Sequence, residues 1–461
     1  MSGLMTAQRA GGPADDLADR WGVPVLRATP AGMAAFNGAV ESLLALAGDP
    51  VAEAEAAVAA APGMVLGRVF RAYLSLYGMT ADGVAAAAVI LDGLDGAGAE
   101  RETQHLRAAR AWAAGDWAGA ARALERALVA HPRDALALKV AQDLYFLLGR
   151  RLDLRDVAAR VLAHWPAGQP GWGYVQGIYA FGLEENGDYA QALARAEAAL
   201  ADNPRDVWSV HAVAHVHEME GRHRDGVAFL TATAPDWQES YFAVHNWWHR
   251  GLYHLELGEL DAALDLYDGA VRAPPSLEWL DIVDAAALLW RLSLYGADLG
   301  DRAARLADDI GPLLESAPVY VFNDWHAVMA FGLDGRNDRC ARVVADTRRL
   351  ASGTNRASAE RAGLALLRGF GAFAAGDYDD ALDQLVDIRD AASAVGGSHA
   401  QRDVIDLTLI AAAARAGDRR LARALAGERT ARKPSAARSV ERLLAHHSGL
   451  VPGRVRASTS E

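Results

Sequence analysis

The sequence predicts an all-α chain whose helical hairpins stack into a single solenoid. Three observations support this prediction. The hydrophobic content is 52%, and much of it is alanine, the best helix former. No run of alternating β-branched residues suggests a strand. A pattern of glycine and other small residues returns roughly every 34 residues along most of the chain, which is typical of a repeat architecture.

Each repeat has the same signature, which Gly115, Ala120 and Pro132 illustrate. The glycine ends the first helix because it adopts the left-handed conformation of a helix cap. The small residue five positions later lets the two helices approach closely, and the proline ends the second helix because it cannot continue a helix interior. This is the tetratricopeptide pattern.

About ten such hairpins are expected to form a right-handed superhelix, which with enough curvature would close into a ring around a central cavity. The turn glycines are Gly48, Gly78, Gly115, Gly149, Gly187, Gly221, Gly258, Gly300, Gly335, Gly376 and Gly417. Residues 1–18, rich in Gly, Ala, Asp and Pro, are predicted to be disordered. Residues 19–436 are predicted to form the solenoid, and residues 437–461 a short helix (VERLLAHH) followed by a disordered tail.

Charge and cysteine usage narrow the class of protein. The net charge of -13 is spread along the helices, which argues against a nucleic-acid partner. The arginine-rich stretch around Lys433 is predicted to be the solvated last turn of a helix. The single cysteine, Cys340, fits a reducing cytoplasm, and no apolar segment reaches the roughly 18 residues of a membrane span. We therefore expect a cytoplasmic protein with no membrane partner, whose oligomeric state stays open.

Seven of the 14 histidines lie between His211 and His254. In a tetratricopeptide array the first helix of each hairpin lines the concave groove, so the repeat register assigns residues to that groove. His211 and His215 are four residues apart and therefore share one helix face. His245 and His249 repeat this spacing in the next hairpin, whereas His217 and His254 fall at packing positions. The remaining predicted groove residues are His105, Asp143, Tyr174, Glu184, Glu218, Trp248, Asn323, Asp324 and His326.

Several segments are distinctive: DVWSVHAVAHVHEMEGRHRDGV, HNWWHRGLYHLELGELDAALDLYD, VFNDWHAVMA and GGSHAQRDVIDLTLI. On these segments the chain resembles the tetratricopeptide repeat protein 38 family, over about residues 20–425. The resemblance implies the solenoid fold but no settled activity. It also draws attention to His399, Arg402 and Asp403, which would join the groove if the two ends of the superhelix approach each other.

Two functions are compatible with this groove. The usual role of such a solenoid is to bind a peptide or protein partner, or a small ligand, in a pocket lined by histidine, carboxylate and tryptophan. Arg402 would then recognise a carboxylate. The alternative is a metal-dependent enzyme whose site in the solenoid cavity holds a divalent transition metal, because imidazole ligands suit such metals. The metal-ligand candidates are His211, His215, His245 and His249.

Two further readings stay open. A metal-free enzyme would use histidine with aspartate or glutamate as general acid and base. The catalytic candidates are His211, His215, Glu218, His245, His249, His326, His399 and Asp403. The polar groove residues could instead form a purely structural network across the repeats, in which Asp281 and Asp284 would take part.

Overall fold

The computed structural model describes residues 17–94, 99–273, 275–350 and 352–448. These residues are mostly helical, and the strands among them form one short antiparallel pair, β1 (Leu17–Ala18) and β2 (Pro24–Val25). In the described segments no helix is both long enough and apolar enough to cross a membrane. The all-α prediction is confirmed.

The helices of the first half are α1 (Pro30–Ala45), α2 (Pro50–Ala60), α3 (Val65–Tyr77), α4 (Ala81–Leu91), α5 (Glu100–Ala113), α6 (Trp117–Ala130), α7 (Ala135–Leu147), α8 (Arg151–Ala159), α9 (Trp172–Glu184), α10 (Tyr189–Asp202), α11 (Val207–Met219) and α12 (His223–Trp237). Those of the second half are α13 (Ala243–Leu257), α14 (Leu260–Leu266), α15 (Trp279–Leu294), α16 (Arg302–Ile310), α17 (Val321–Leu333), α18 (Asn337–Arg348), α19 (Gly353–Ser358), α20 (Leu364–Ala375), α21 (Tyr378–Val386), α22 (His399–Arg415), α23 (Arg419–Arg432) and α24 (Ala437–Ser448). A π-turn at Ala359–Gly363 joins α19 to α20.

Consecutive helices pack against each other as hairpins, from α1 with α2 to α22 with α23. The turns between them contain the predicted glycines. Gly258, for example, has a φ of 81° and caps α13 in the left-handed region, where its backbone N–H donates to the carbonyl groups at the end of that helix. The repeat register read from the sequence is therefore the register of the structure, and the chain is an α-solenoid of stacked hairpins.

The concave side of this solenoid is filled by other parts of the chain. Helix α22 packs against α15, where the indole Nε1 of Trp290 donates to Thr408 Oγ1 at 2.9 Å. Lys433 Nζ donates to Glu218 Oε1 at 3.0 Å across 215 residues of sequence. Distant repeats thus approach each other, as a closed superhelix requires. The predicted groove positions in α11 and α13 are buried in the interior of the molecule.

The two ends of the described chain differ from the sequence prediction in separate ways. Leu17–Ala18 was assigned to the disordered N-terminus but pairs with Pro24–Val25, because backbone hydrogen bonds join the two segments. Residues 1–16 and 449–461 lie outside the described residues. Helix α24 forms as predicted but packs onto the solenoid, since the Arg442 guanidinium donates to the Glu256 carbonyl oxygen at 2.6 Å.

In the arginine-rich stretch around Lys433, Arg432 and Arg438 are exposed as predicted, but Arg429 and Lys433 are buried. Lys433 is 6% exposed and Arg429 is 1% exposed. Arg429 donates to both carboxylate oxygens of Asp403, at 2.8 and 2.7 Å, and to Glu256 Oε1 at 3.1 Å. Asp403 lies on α22, the other helix of the same hairpin, whereas Glu256 comes from α13, so the contact with Glu256 depends on packing between distant repeats and could not be predicted from the local sequence.

Candidate metal centre

Helices α11 and α13 position the central histidines. Helix α11 begins at Asp206, whose carboxylate accepts hydrogen bonds from the backbone N–H groups of Trp208 and Ser209 at 3.2 and 3.4 Å. The Tyr253 hydroxyl of α13 donates to the Ala214 carbonyl of α11 at 2.6 Å, which holds the two helices side by side. Because side chains four residues apart share a helix face, each helix presents two imidazoles to the other.

These imidazoles form the four-histidine cluster, which consists of His211, His215, His245 and His249. Each member offers one ring nitrogen, and the four nitrogens lie within 4.8 Å of one another. The Nε2 atoms of His211 and His245 are 3.1 Å apart, and none of the four residues is more than 4% exposed. The structure therefore brings together all four residues that the sequence suggested as metal ligands.

A carboxylate lies behind three of these imidazoles. The distances from Nδ1 to the nearest carboxylate oxygen are 2.8 Å for His245–Asp284, 3.3 Å for His249–Glu218 and 3.1 Å for His215–Glu184. A carboxylate only accepts hydrogen bonds, so an imidazole that donates to it carries its proton on Nδ1. For His245 and His249, the Nε2 atom is then left with a free lone pair, as in carboxylate–histidine–metal arrangements.

The inward Nε2 atoms of His211 and His245 pair with each other at 3.1 Å. Among the described residues, those of His215 and His249 are buried and make no hydrogen bond. Such an atom costs free energy in an apolar surrounding unless something binds it. The cluster is walled by aromatic rings, including Trp248, which stacks on His245 with ring centroids 5.2 Å apart.

Burial favours the neutral form of imidazoles in the cluster, which is the form that binds metals. It lowers the pKa of His211 well below its usual value, and the neighbouring His215 adds to this effect. Burial likewise lowers the pKa of His249. For Glu218, burial opposes ionisation, but the ammonium of Lys433 and the hydrogen bond from His249 together outweigh it and hold the pKa of that carboxyl well below its usual range. The site therefore pairs neutral imidazoles with a carboxylate anion.

His399 lies beside the cluster, at the start of α22. Two glycines with positive φ, Gly396 at 88° and Gly397 at 75°, turn the chain into this helix. The imidazole Nε2 donates to Glu184 Oε1 at 2.7 Å, and the backbone N–H donates to Glu185 Oε1 at 3.0 Å. Burial opposes the imidazolium, yet these two carboxylates outweigh it and raise the pKa of His399 to about 9.

A polar cavity of about 380 Å³ adjoins His399, whose side chain is 24% exposed. Four predicted site residues line the cavity: Glu218, His399, Arg402 and Asp403. Arg402 donates to the Gly397 carbonyl and lies 3.8 Å from Glu185, so it is partly engaged. Asp403 is held by Arg429, and although burial opposes its ionisation this partner lowers its pKa to about 2, which does not suit a general base.

Three predicted groove residues have neighbours outside the four-histidine cluster. His105 is buried beside Asp134, with 3.0 Å between Nε2 and the nearer carboxylate oxygen. Asp143 accepts hydrogen bonds from the Tyr77 hydroxyl at 2.7 Å and from Lys139 at 2.6 Å. Tyr174 is half-buried, and burial raises its pKa to about 12. Among the described residues, the hydrogen bonds and ion pairs of these three side chains do not involve the four-histidine cluster.

Helix α17 carries the last group of predicted residues. Asp324 is buried and accepts a hydrogen bond from the Thr347 hydroxyl at 3.2 Å, and burial raises its pKa to about 7. His326 donates through Nδ1 to the Phe322 carbonyl at 2.7 Å, and burial lowers its pKa to about 3. Asn323 is 6% exposed. The recorded contacts of these side chains do not include the four-histidine cluster.

Sequence reasoning gave too little weight to three residues. Asp284 was considered only for a structural network, yet it is the carboxylate behind His245. Glu185 directly follows the predicted Glu184, and a pair of adjacent acids at the end of a groove helix was a usable signal. Lys433 gave no such signal, because its contact with Glu218 depends on packing between distant repeats.

Fold and site together define the class: a tetratricopeptide-like α-solenoid with a cluster of histidines and carboxylates enclosed in its interior. No family model matches the chain. The resemblance to the tetratricopeptide repeat protein 38 family therefore stays a prediction, and the class assignment rests on the chain's own hairpins.

Comparisons with known proteins give distant likenesses. The chain is 29% identical over 217 residues to Protein FlbA of Caulobacter vibrioides; the match covers 46% of this chain but only 34% of FlbA, about a third of its length. Among solved structures, a tetratricopeptide repeat protein from Parabacteroides merdae is 14% identical with a TM-score of 0.32, covering 67% of this chain and 99% of that one. Yeast Tom70 is 14% identical with a TM-score of 0.35, covering 93% and 89%. The Cut9–Hcn1 structure is 13% identical with a TM-score of 0.41, covering 86% and 72%.

Proposed function

We propose that this chain is a solenoid protein that binds a divalent transition-metal ion through the four-histidine cluster. The observation that carries the proposal is the pairing within the cluster. Nδ1 of His249 faces a carboxylate, whereas its Nε2 points away from that carboxylate and has no hydrogen-bond partner among the described residues. A buried imidazole arranged in this way is oriented for a metal ligand, and the carboxylate behind it raises its basicity.

The geometry suits a closed, four-coordinate site. Nitrogens of a tetrahedral zinc site lie about 3.3 Å apart, given zinc–nitrogen bonds of about 2.0–2.1 Å. The observed separation between His211 and His245 is 3.1 Å, and the largest separation in the cluster is 4.8 Å, so an ion would draw the more distant rings inward. Imidazole ligands suit zinc, copper, nickel and iron alike. Four buried protein ligands leave no open position, so this ion would stabilise the junction of two repeats.

A peptide in the concave groove fits the structure less well. Trp248, one of the predicted groove residues, is fully buried against His245 and therefore cannot contact a peptide. A protein partner of this solenoid would therefore have to bind a surface other than the predicted groove at α11 and α13.

Metal analysis of protein purified without a histidine tag tests the proposal. We expect about one equivalent of a transition metal in the cluster, and its loss in the double variant His211→Ala/His249→Ala, because two of four ligands are removed. His217→Ala/His254→Ala is the matched control, since these residues lie on the same two helices outside the cluster. Wild-type protein that binds no transition metal after reconstitution, or control and cluster variants that lose metal equally, would contradict the proposal.

A further inference from the structure

We infer that a second metal ion binds beside the four-histidine cluster, where its four protein ligands would be joined by a fifth ligand from the polar cavity. Its ligands would be Glu184, Glu185, His215 and His399, whose ligand atoms all lie within 4.8 Å of one another. The inference rests on the proposed function, because His215 belongs to both groups. It changes what the site can do, since an open metal position permits chemistry that a closed one does not.

The strongest observation concerns His215 and Glu184. Nδ1 of His215 lies 3.1 Å from Glu184 Oε2, and both residues are fully buried. Neither atom makes a hydrogen bond within the described part of the chain, because their mutual orientation does not allow one. Two buried ligand atoms that lie close together without bonding are arranged as two ligands of one ion are.

The imidazole of His215 can serve both ions. Its Nδ1 faces Glu184, whereas its Nε2, on the opposite edge of the ring, has no hydrogen-bond partner among the described residues. Binding of both ions would convert His215 into a bridging imidazolate, and its remaining N–H proton would pass to solvent. No other bond to this residue needs to change.

The charges at the second position match a dication. The carboxylates of Glu184 and Glu185 are almost completely buried and face the same imidazole, that of His399, at 2.7 and 3.6 Å. Entry of a dication would displace the proton that Nε2 of His399 donates to Glu184, release it to solvent and leave the Nε2 lone pair for the metal. Two carboxylates, a neutral imidazole and an imidazolate then surround the ion, a mixed nitrogen and oxygen set that zinc, iron and manganese accept.

The cavity distinguishes this position from the four-histidine cluster. Glu185 and His399 line the cavity of about 380 Å³, whereas no member of the four-histidine cluster does. A metal held by Glu185 and His399 would therefore meet solvent on that side. Its open position would hold a water molecule that an incoming ligand can displace.

The metal-to-protein ratio tests the inference on tag-free full-length protein reconstituted with Zn²⁺ and freed of excess metal. We expect about two ions in the wild type and about one in His399→Gln or Glu185→Gln, because each removes one ligand of the open site only. Arg151→Gln is the matched control: Arg151 lines the same cavity but offers no metal ligand, so its ratio should stay at two. If one variant does not fold, the other gives the same readout.

Electron paramagnetic resonance of Cu²⁺-loaded protein tests the bridge. Coupling through a His215 imidazolate should reduce the integrated signal of the wild type below its copper content, and His399→Gln should restore the full signal of one isolated copper. One ion in both the wild type and His399→Gln would overturn the second site and leave the proposed function standing. One ion that persists in His211→Ala but disappears in His399→Gln would support the open site and overturn the four-histidine site. Absence of any bound metal would overturn both.

Discussion

Two buried polar regions of this solenoid are built from similar residues but differ in how their ring nitrogens are used. At α5 and α7, His105 has a partner for each nitrogen: the Tyr73 hydroxyl at 3.2 Å from Nδ1 and Asp134 at 3.0 Å from Nε2. Arg101 completes this network with two hydrogen bonds to Asp134, at 2.7 and 3.0 Å. In the four-histidine cluster, by contrast, carboxylates pair with Nδ1 of His245 and His249, and the inward Nε2 atoms of His215 and His249 have no partner among the described residues.

The difference separates a structural network from a binding site. At α5 and α7, burial opposes ionisation of Asp134, but Arg101 and His105 outweigh it and hold the pKa of that carboxyl well below its usual range. That network is satisfied by the chain itself. The four-histidine cluster is satisfied only on its outer side, and a half-satisfied buried network is costly unless a ligand completes it. We therefore expect mutation to destabilise mainly the α5–α7 network, and metal binding to stabilise the region of the four-histidine cluster.

Arg101→Met should have the largest effect. Removing the guanidinium leaves the Asp134 carboxylate buried without its main partner, which costs about 3–5 kcal/mol of the free energy of unfolding. Urea unfolding would measure the loss, and the metal content should not change. Arg302→Met is the comparison variant, because Arg302 and Asp268 form a partly exposed pair worth less than about 1 kcal/mol. Similar losses in both variants would mean that the α5–α7 network is not the special case argued here.

Chelation should have the next largest effect, and the four-histidine cluster should contribute a measurable share of it. Free metal at 100 times its dissociation constant stabilises the folded state by about 2.7 kcal/mol for each site. The wild type should lose this stabilisation on dialysis against a chelator. His211→Leu should lack the share that the four-histidine cluster gives, while its unfolding free energy stays within about 1 kcal/mol of the metal-free wild type, because only the hydrogen bond between the Nε2 atoms of His211 and His245 is lost. A large loss in metal-free His211→Leu would instead assign the cluster a structural role of its own.

The sequence was sufficient for the parts of this comparison that depend on local geometry. The spacing of His211 and His215, repeated in His245 and His249, placed four imidazoles on facing helices because the tetratricopeptide register fixes which face points inward. The sequence could not show how helices from distant repeats, such as α22, pack into the interior. Asn323 and Asp324 were therefore expected to lie in the same groove as the histidines. The contact of Lys433 with Glu218 was equally out of reach, since it joins residues 215 positions apart.

Asp284→Asn should weaken metal binding by about 10–100-fold, because the carboxylate behind a metal-bound histidine orients it and raises its basicity. Titration of metal-free protein against a competing chelator would measure the change. Asp281→Asn is the matched control on the same helix, three residues earlier and outside the recorded contacts of His245. An unchanged dissociation constant in Asp284→Asn would show that the hydrogen bond of 2.8 Å to His245 has no role in metal binding.

The smallest effect is expected at Asp324, a buried acid that belongs to neither region and has no ion-pair partner among the described residues. Burial raises its pKa to about 7 in the folded protein, from the ordinary 3.8. Between these values the folded state holds a proton that the unfolded state has released, so stability falls as pH rises, by up to about 1.4 kcal/mol per pH unit. Asp324→Asn lacks this proton. The unfolding free energy of the variant relative to the wild type should therefore increase by roughly 1 kcal/mol from pH 5 to pH 6. If this difference between variant and wild type does not change with pH, Asp324 is already ionised in the folded protein.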